Sequence, residues 1–188
     1  MIFRLFRRRP VTIDALYGAI VAQARRPEFY VGYGAPDTAD GRFDMIILHL
    51  VLLCRRLGRE PGGGQEESRG LSQQVFDMFC ADMDHNLREM GVGDLSVPKR
   101  MRKFGEAFYG RLEAYDRALA APSDGDLAAA LGRNVLGEAA PTQRAGRLAA
   151  YAREAARRLD ATPLAALAEG QIAFPDPNAI ATFGEVPA

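Results

Sequence analysis

The sequence predicts an all-α, single-domain helical bundle built around one central apolar helix, with an alanine-rich C-terminal helical part and an irregular tail. Three observations predict it. Apolar residues recur at three- and four-residue spacings along almost every patterned segment, and no stretch alternates convincingly with a period of two. Proline, glycine, serine and threonine punctuate those segments where helices start and stop. The 188 residues also suffice for one domain with a real core. The chain divides into a flexible basic N-terminus (1–10), a helical core (11–121), C-terminal helices (122–170) and a tail (171–188).

Pro10 starts a first helix near Val11, with Ile13, Leu16, Tyr17, Ile20, Val21 and Ala24 on one face until Pro27 stops it. "PEFYVGYGAPDTADGRFD" then reads as a long aromatic loop. A second helix, from about Arg42 to Leu57, is apolar nearly all round and is expected to be the enclosed one. His49 is its lone polar residue between Met45 and Cys54 and reads as a hydrogen-bonded core histidine. "REPGGGQEESRG" reads as a flexible connection.

The third helix, about Leu71 to Met90, carries Leu71, Val75, Met78, Phe79, Met83, Leu87 and Met90 on one broad face. Asp77, Asp84 and Arg88 lie opposite, whereas Asp82 and Asn86 project into the apolar face. A carboxylate there is costly unless it is paired, so both are expected to be buried and hydrogen-bonded. Gly91 is placed for a left-handed cap, and Ser96 for capping a fourth helix with Pro98 in its first turn. Val97, Met101, Phe104, Phe108, Leu112, Tyr115 and Leu119 form its seam. Past Pro122, Ser123 is expected to cap a short helix, Thr142 a longer one, and Thr162–Pro163 a last one stopped by Gly170. "FPDPNAIATFGEVPA" is expected to trail over the surface.

Lysine plus arginine and aspartate plus glutamate number 24 each, so net charge selects no partner class. Basic clusters at Arg7–Arg9, Lys99–Lys103 and Arg144–Arg158 are balanced by acids, and no nucleic-acid motif accompanies them, so specific nucleic-acid binding is not expected. Cys54 and Cys80 sit in apolar helical patterns and read as reduced small hydrophobes. The most apolar run, Met45 to Cys54, falls far short of a membrane span. "MIFRLFRRRP" is no secretory signal; its hydrophobes and arginines suit a weak peripheral membrane contact.

Catalytic constellations are sparse. Asp82, His85 and Glu89 have the helical spacing of a metal-binding element, which makes a metal-dependent helical-bundle enzyme the rival reading. The facing helices offer only His49 and Asp14, too few inward ligands. No serine sits in a nucleophile elbow, and "GVG" and "GGG" follow no strand. No cofactor is expected. Methionines Met83, Met90 and Met101 flank the polar span and offer an adaptable apolar surface for a binding module.

"GRFDMIILHLVLLCRRL", "FDMFCADMDHNLREMGVGDLSVPKRM" and "FYGRLEAYDRAL", with the loop "FYVGYGAPDT", resemble the ubiquinol–cytochrome c chaperone family from about Leu16 to Leu119, and only faintly beyond Pro122. The resemblance implies a non-enzymatic chaperone or assembly factor for a respiratory bc1 complex subunit. Its mitochondrial members bind newly made cytochrome b near the ribosome's exit together with a small helical helper. This chain looks like a compact, bacterial-type member, expected in the cytoplasm and peripherally on the cytoplasmic face of the inner membrane. The matched motif residues carry no catalytic role. Asp82, Asp84, Asn86, Arg88, Glu89, Lys99 and Arg100 are therefore expected to fix the structure or to face the client or a partner.

Overall fold

The computed structural model describes residues 9–140 and 142–180, and among them it is all-helical, with no strand. Its α-helices are α1 (Arg9–Ala24), α2 (Pro27–Val31), α3 (Ala39–Gly58), α4 (Gln65–Glu89), α5 (Val97–Ala120), α6 (Gly125–Leu131), α7 (Gln143–Ala161) and α8 (Leu164–Ala168). The basic start through Arg8, and the membrane contact assigned to it, lie outside the described residues.

α3 packs against α1, α4, α5 and α7. It is buried continuously from Met45 to Leu57, and side chains such as Leu50, Leu52 and Leu53, with no exposed surface, each contribute about 1.5–3 kcal/mol by leaving water. Thr38 caps it, its hydroxyl accepting from the Gly41 amide at 3.1 Å. His49 is a core histidine. Its Nδ1–H donates to the Met45 carbonyl and its Nε2 accepts from the Tyr151 hydroxyl, both at 2.7 Å.

Several boundaries differ from the sequence reading. The aromatic loop contains a helical turn, α2, whose Phe29 is buried against Tyr33 and Tyr151. α4 starts six residues before Leu71, at Gln65, because Glu66 and Glu67 favour a helix N-terminus and the Ser68 hydroxyl donates to the Leu57 carbonyl at 2.6 Å. Ser96 has helical dihedrals and makes no side-chain cap. Ser123 does not cap α6 either: Arg153 takes its carbonyl, and the Asp124 carboxylate as well. Beyond α6 the chain widens into a π-helical turn, Gly132–Leu136, closed by Gly137 at φ +68°.

The alanine-rich part is closely packed. Ala145, Ala149, Ala152 and Ala155 of α7 are fully buried, their small side chains admitting α6 and α3 at close range. Residues 171–180 do not trail. Phe174 meets His49 edge-on at 4.9 Å, Gln23 donates to the Pro175 carbonyl at 2.9 Å, and Tyr33 donates to that of Pro177 at 2.6 Å. Residues 181–188 lie outside the described part.

Among the described glycines, Gly41 makes the tightest backbone approach. A Cβ there would stand 2.0 Å from the Pro36 carbonyl oxygen. Gly41→Ala is expected to cost about 3 kcal/mol by forcing the loop off the start of α3. A denaturant midpoint unchanged from that of the parent chain would show that the loop yields freely.

Candidate functional site

At one end of the bundle the start of α3, the end of α4, the start of α5 and the end of α1 leave a groove of about 630 Å³. Its apolar lining is Ala39, Phe43 and Ile46 of α3, Met83 and Leu87 of α4 with Met90 just past its end, and Phe104 of α5. Phe43 and Phe104 stack at 4.3 Å between centroids, which ties α3 to α5 beneath the opening. Met90 is 65% exposed, although it continues the buried stripe of Met83 and Leu87. Charged residues rim this surface: Arg25, Asp37, Asp40, Arg42, Asp82, Arg100 and Lys103.

The turn between α4 and α5 sets the groove's edge. Gly91, at φ +75°, lets the Val92 amide bond back to the Leu87 carbonyl and its own amide to that of Arg88, both at 3.0 Å. This reciprocal pair ends α4 sharply and swings α5 alongside it.

Asp82 and Asn86 meet in the groove, but not as buried groups. Asp82 is half-buried and Asn86 exposed. Asp82 has a tyrosine partner from α1: the Tyr17 hydroxyl donates to Oδ2 at 2.7 Å. The Asn86 amide donates to Asp82 Oδ1 at 3.1 Å and to its carbonyl at 2.7 Å. Burial and this carboxylate hold the Tyr17 phenol protonated far above its usual range. The helix phase is right; what differs is that the far end of α4's apolar face is left open where α3 begins. No buried cation is stranded by removing Asp82. Asp82→Ala is therefore expected to cost about 1 kcal/mol, the worth of the Tyr17 bond, rather than the 3–5 kcal/mol of a broken buried pair. A urea titration yielding the larger value would place a charged partner beside it.

The other motif residues separate from the groove, apart from Arg100. Asp84 and Arg88 form an exposed i,i+4 pair at 2.7 Å, and Arg88 also reaches Asp94 in the turn at 2.6 Å. The Arg88 guanidinium holds the Asp84 carboxyl below its usual range. Glu89 pairs with His85 at 3.1 Å on the surface. His85 and Glu89 thus turn away from Asp82, and among the described residues no three His, Cys, Asp or Glu side chains are grouped to hold a metal. Lys99 is exposed. The charge reversal Asp84→Lys with Arg88→Glu is expected to move Tm by less than about 3 °C; a larger drop by calorimetry would make the Asp94 contact structural.

Sequence reasoning missed Arg25, Asp37, Asp40, Phe43, Ile46, Lys103 and Phe104 as a set, since they come from three separate segments. The available signal was the apolar pair Phe43 and Ile46 at the polar start of α3, one turn apart and on the same face as the opening. Among the described residues, no helix is long and apolar enough to cross a membrane.

Comparison with known proteins gives these features a family. The ubiquinol–cytochrome c chaperone model matches residues 32–174, well past Pro122, where the resemblance read from the sequence fades. A solved structure described as the Cbp3 homolog from Brucella abortus superposes with a TM-score of 0.83 at 36% identity, over 96% of this chain and 100% of that one. Ubiquinol-cytochrome c reductase complex assembly factor 1 of Drosophila melanogaster is 26% identical over 158 residues, 83% of this chain and 61% of that protein. The protein of the same name from Mus musculus is 27% identical over 118 residues, 63% of this chain and 38% of its own length. The chain thus spans under two thirds of these curated relatives. With a family match over most of its length and a fold shared across nearly all of it, the chain belongs to the ubiquinol–cytochrome c chaperone family.

Proposed function

We propose that this protein is a non-enzymatic assembly chaperone for a bc1 complex subunit, with newly made cytochrome b as client, and that it holds the client in the groove between α3, α4 and α5. The observation that carries the reading is the groove's lining. Two methionines, a leucine, an isoleucine and two phenylalanines line one opening at the end of the core, with Met90 exposed and Phe43 and Phe104 half-buried above the buried Ile46, Met83 and Leu87. Thioethers adapt to many apolar shapes, which suits a segment not yet in its final packing. The names of the relatives support the complex as destination. The Asp84–Arg88–Asp94 surface and Lys99 are the places offered to a small helper protein or to the ribosome, and a weak membrane contact through residues 2–9 keeps the protein near its client.

The test is a photo-crosslinking amino acid at Met90, introduced in cells that assemble the complex. Capture of cytochrome b from Met90, with little capture from Val31 on another exposed face, is the expected result. Equal capture at both positions, or normal complex levels in a Met90→Asp variant, would remove the groove from the function.

A further inference from the structure

Resting on that reading of the groove, we infer that its occupant is an amphipathic helix carrying a basic side chain on one flank of its apolar stripe and an acidic one on the other. The groove holds charges of both signs that leave one another alone. Asp40, on the first turn of α3, and Asp82, on α4, have no cation within 4 Å among the described residues. Arg25, Arg100 and Lys103 have no anion within that distance. Arg42 is committed to Asp37 at 2.8 Å. Asp82 is instead held by two neutral donors, the Tyr17 hydroxyl and the Asn86 amide, which fix its direction and leave its charge uncancelled.

Surface charges of opposite sign usually close on each other when the side chains reach, as they do at Arg88–Asp84 one turn further along α4. Here they stand on different walls around Phe43, Met83, Leu87 and Phe104. An apolar stripe seated on those side chains with anchors at i, i+3 or i+4 and i+7 brings its flanks to the rims. A cation on one flank meets Asp40 and Asp82, and an anion on the other meets Arg100 and Lys103. Such rim pairs add orientation and partner choice to the apolar contact. A purely acidic ligand would meet Asp82, and a purely basic one Arg100, at close range.

Fluorescence anisotropy with the full chain and four synthetic helical peptides tests this. All share one apolar stripe; their flanks are Lys with Glu, all Lys, all Glu, or all Gln. The mixed-flank peptide is expected to bind about tenfold tighter than the Gln peptide, and this preference should fade as salt is raised. Asp40→Asn and Arg100→Gln with Lys103→Gln, all at exposed positions, should each reduce the preference several-fold while leaving Gln-peptide binding intact. Asp82→Asn, whose one amide oxygen still accepts from Tyr17 while the Asn86 side-chain bond is given up, should do the same. Equal affinity for the mixed and Gln peptides overturns the charge inference alone. Tighter binding of the all-Glu or all-Lys peptide replaces it with a single-sign site. No binding by any peptide overturns the groove as a helix site, and the proposed function with it.

Discussion

Arg56→Ala is expected to destabilise the protein by about 3–5 kcal/mol, the cost of breaking a buried ion pair from one side. Arg56 lies in the last turn of α3 and is 7% exposed. Its Nη1 meets Glu60 at 2.5 Å, and the Glu60 side chain is only 14% exposed. Its Nε donates to the Leu159 carbonyl at 3.0 Å and its Nη2 to that of Thr162 at 2.9 Å. Those carbonyls belong to the end of α7, where helices leave acceptors without intrahelical partners. One guanidinium therefore fastens the central helix to the C-terminal helices. Truncation strands Glu60 and releases both carbonyls at once. In a chain of this size the loss amounts to about 6–20 °C in Tm. Arg56→Lys should recover only part of it, because an ammonium cannot present three donors in a planar fork. A loss below about 1 kcal/mol by chemical denaturation would mean that water replaces all three bonds.

This latch shows what the sequence conceals. "CRRLGRE" reads as the polar end of a helix, and nothing in its spacing says that Arg55 and Arg56 turn inward. Arg55, 7% exposed, reaches Asp116 and Asp160, partners about 60 and 105 positions away that no local pattern connects. Periodicity did place the apolar faces of α1, α3, α4 and α5, because each face is a property of one helix. It also placed Asp82 and Asn86 on the inner side of α4. What one helix cannot report is whether its neighbours extend far enough to cover that side. α3 begins at Ala39, capped by Thr38, and this start leaves the last turns of α4 open as a groove instead of closed as a core. The tail misled for a related reason: "FPDP" has no periodicity, and its place is set by hydrogen bonds from Gln23 and Tyr33 to its carbonyls rather than by a pattern of its own.

The same core makes stability depend on acidity through His49. The ring has no exposed surface, and burial lowers its pKa from 6.5 to about 4. The Tyr151 bond also favours the neutral form, while the Met45 carbonyl opposes the shift only in part. Nδ1–H already donates to Met45, and Nε2 is occupied as the acceptor of the Tyr151 hydroxyl. That hydroxyl in turn accepts from the Gln23 amide at 2.9 Å, so a proton on Nε2 would leave two donors facing one oxygen and the phenolic hydrogen without its acceptor. Between pH 4 and 6.5 the unfolded chain binds this proton and the folded chain does not. Stability is therefore full above pH 6.5 and falls as pH drops toward 4. Between pH 7 and 5 the loss from this one ring is about 2 kcal/mol, a fall of about 4–8 °C in Tm. Glu28 and Glu154, both held at about 2 by their arginine partners, also lose stabilisation in acid. Their unfolded reference lies near 4.5, so they act mainly below pH 5. The interval from pH 5 to 6.5 thus isolates His49. His49→Gln should be less stable at pH 7 yet nearly flat across that interval, and a parent chain that is itself flat there would mean that the ring gains its proton without unfolding.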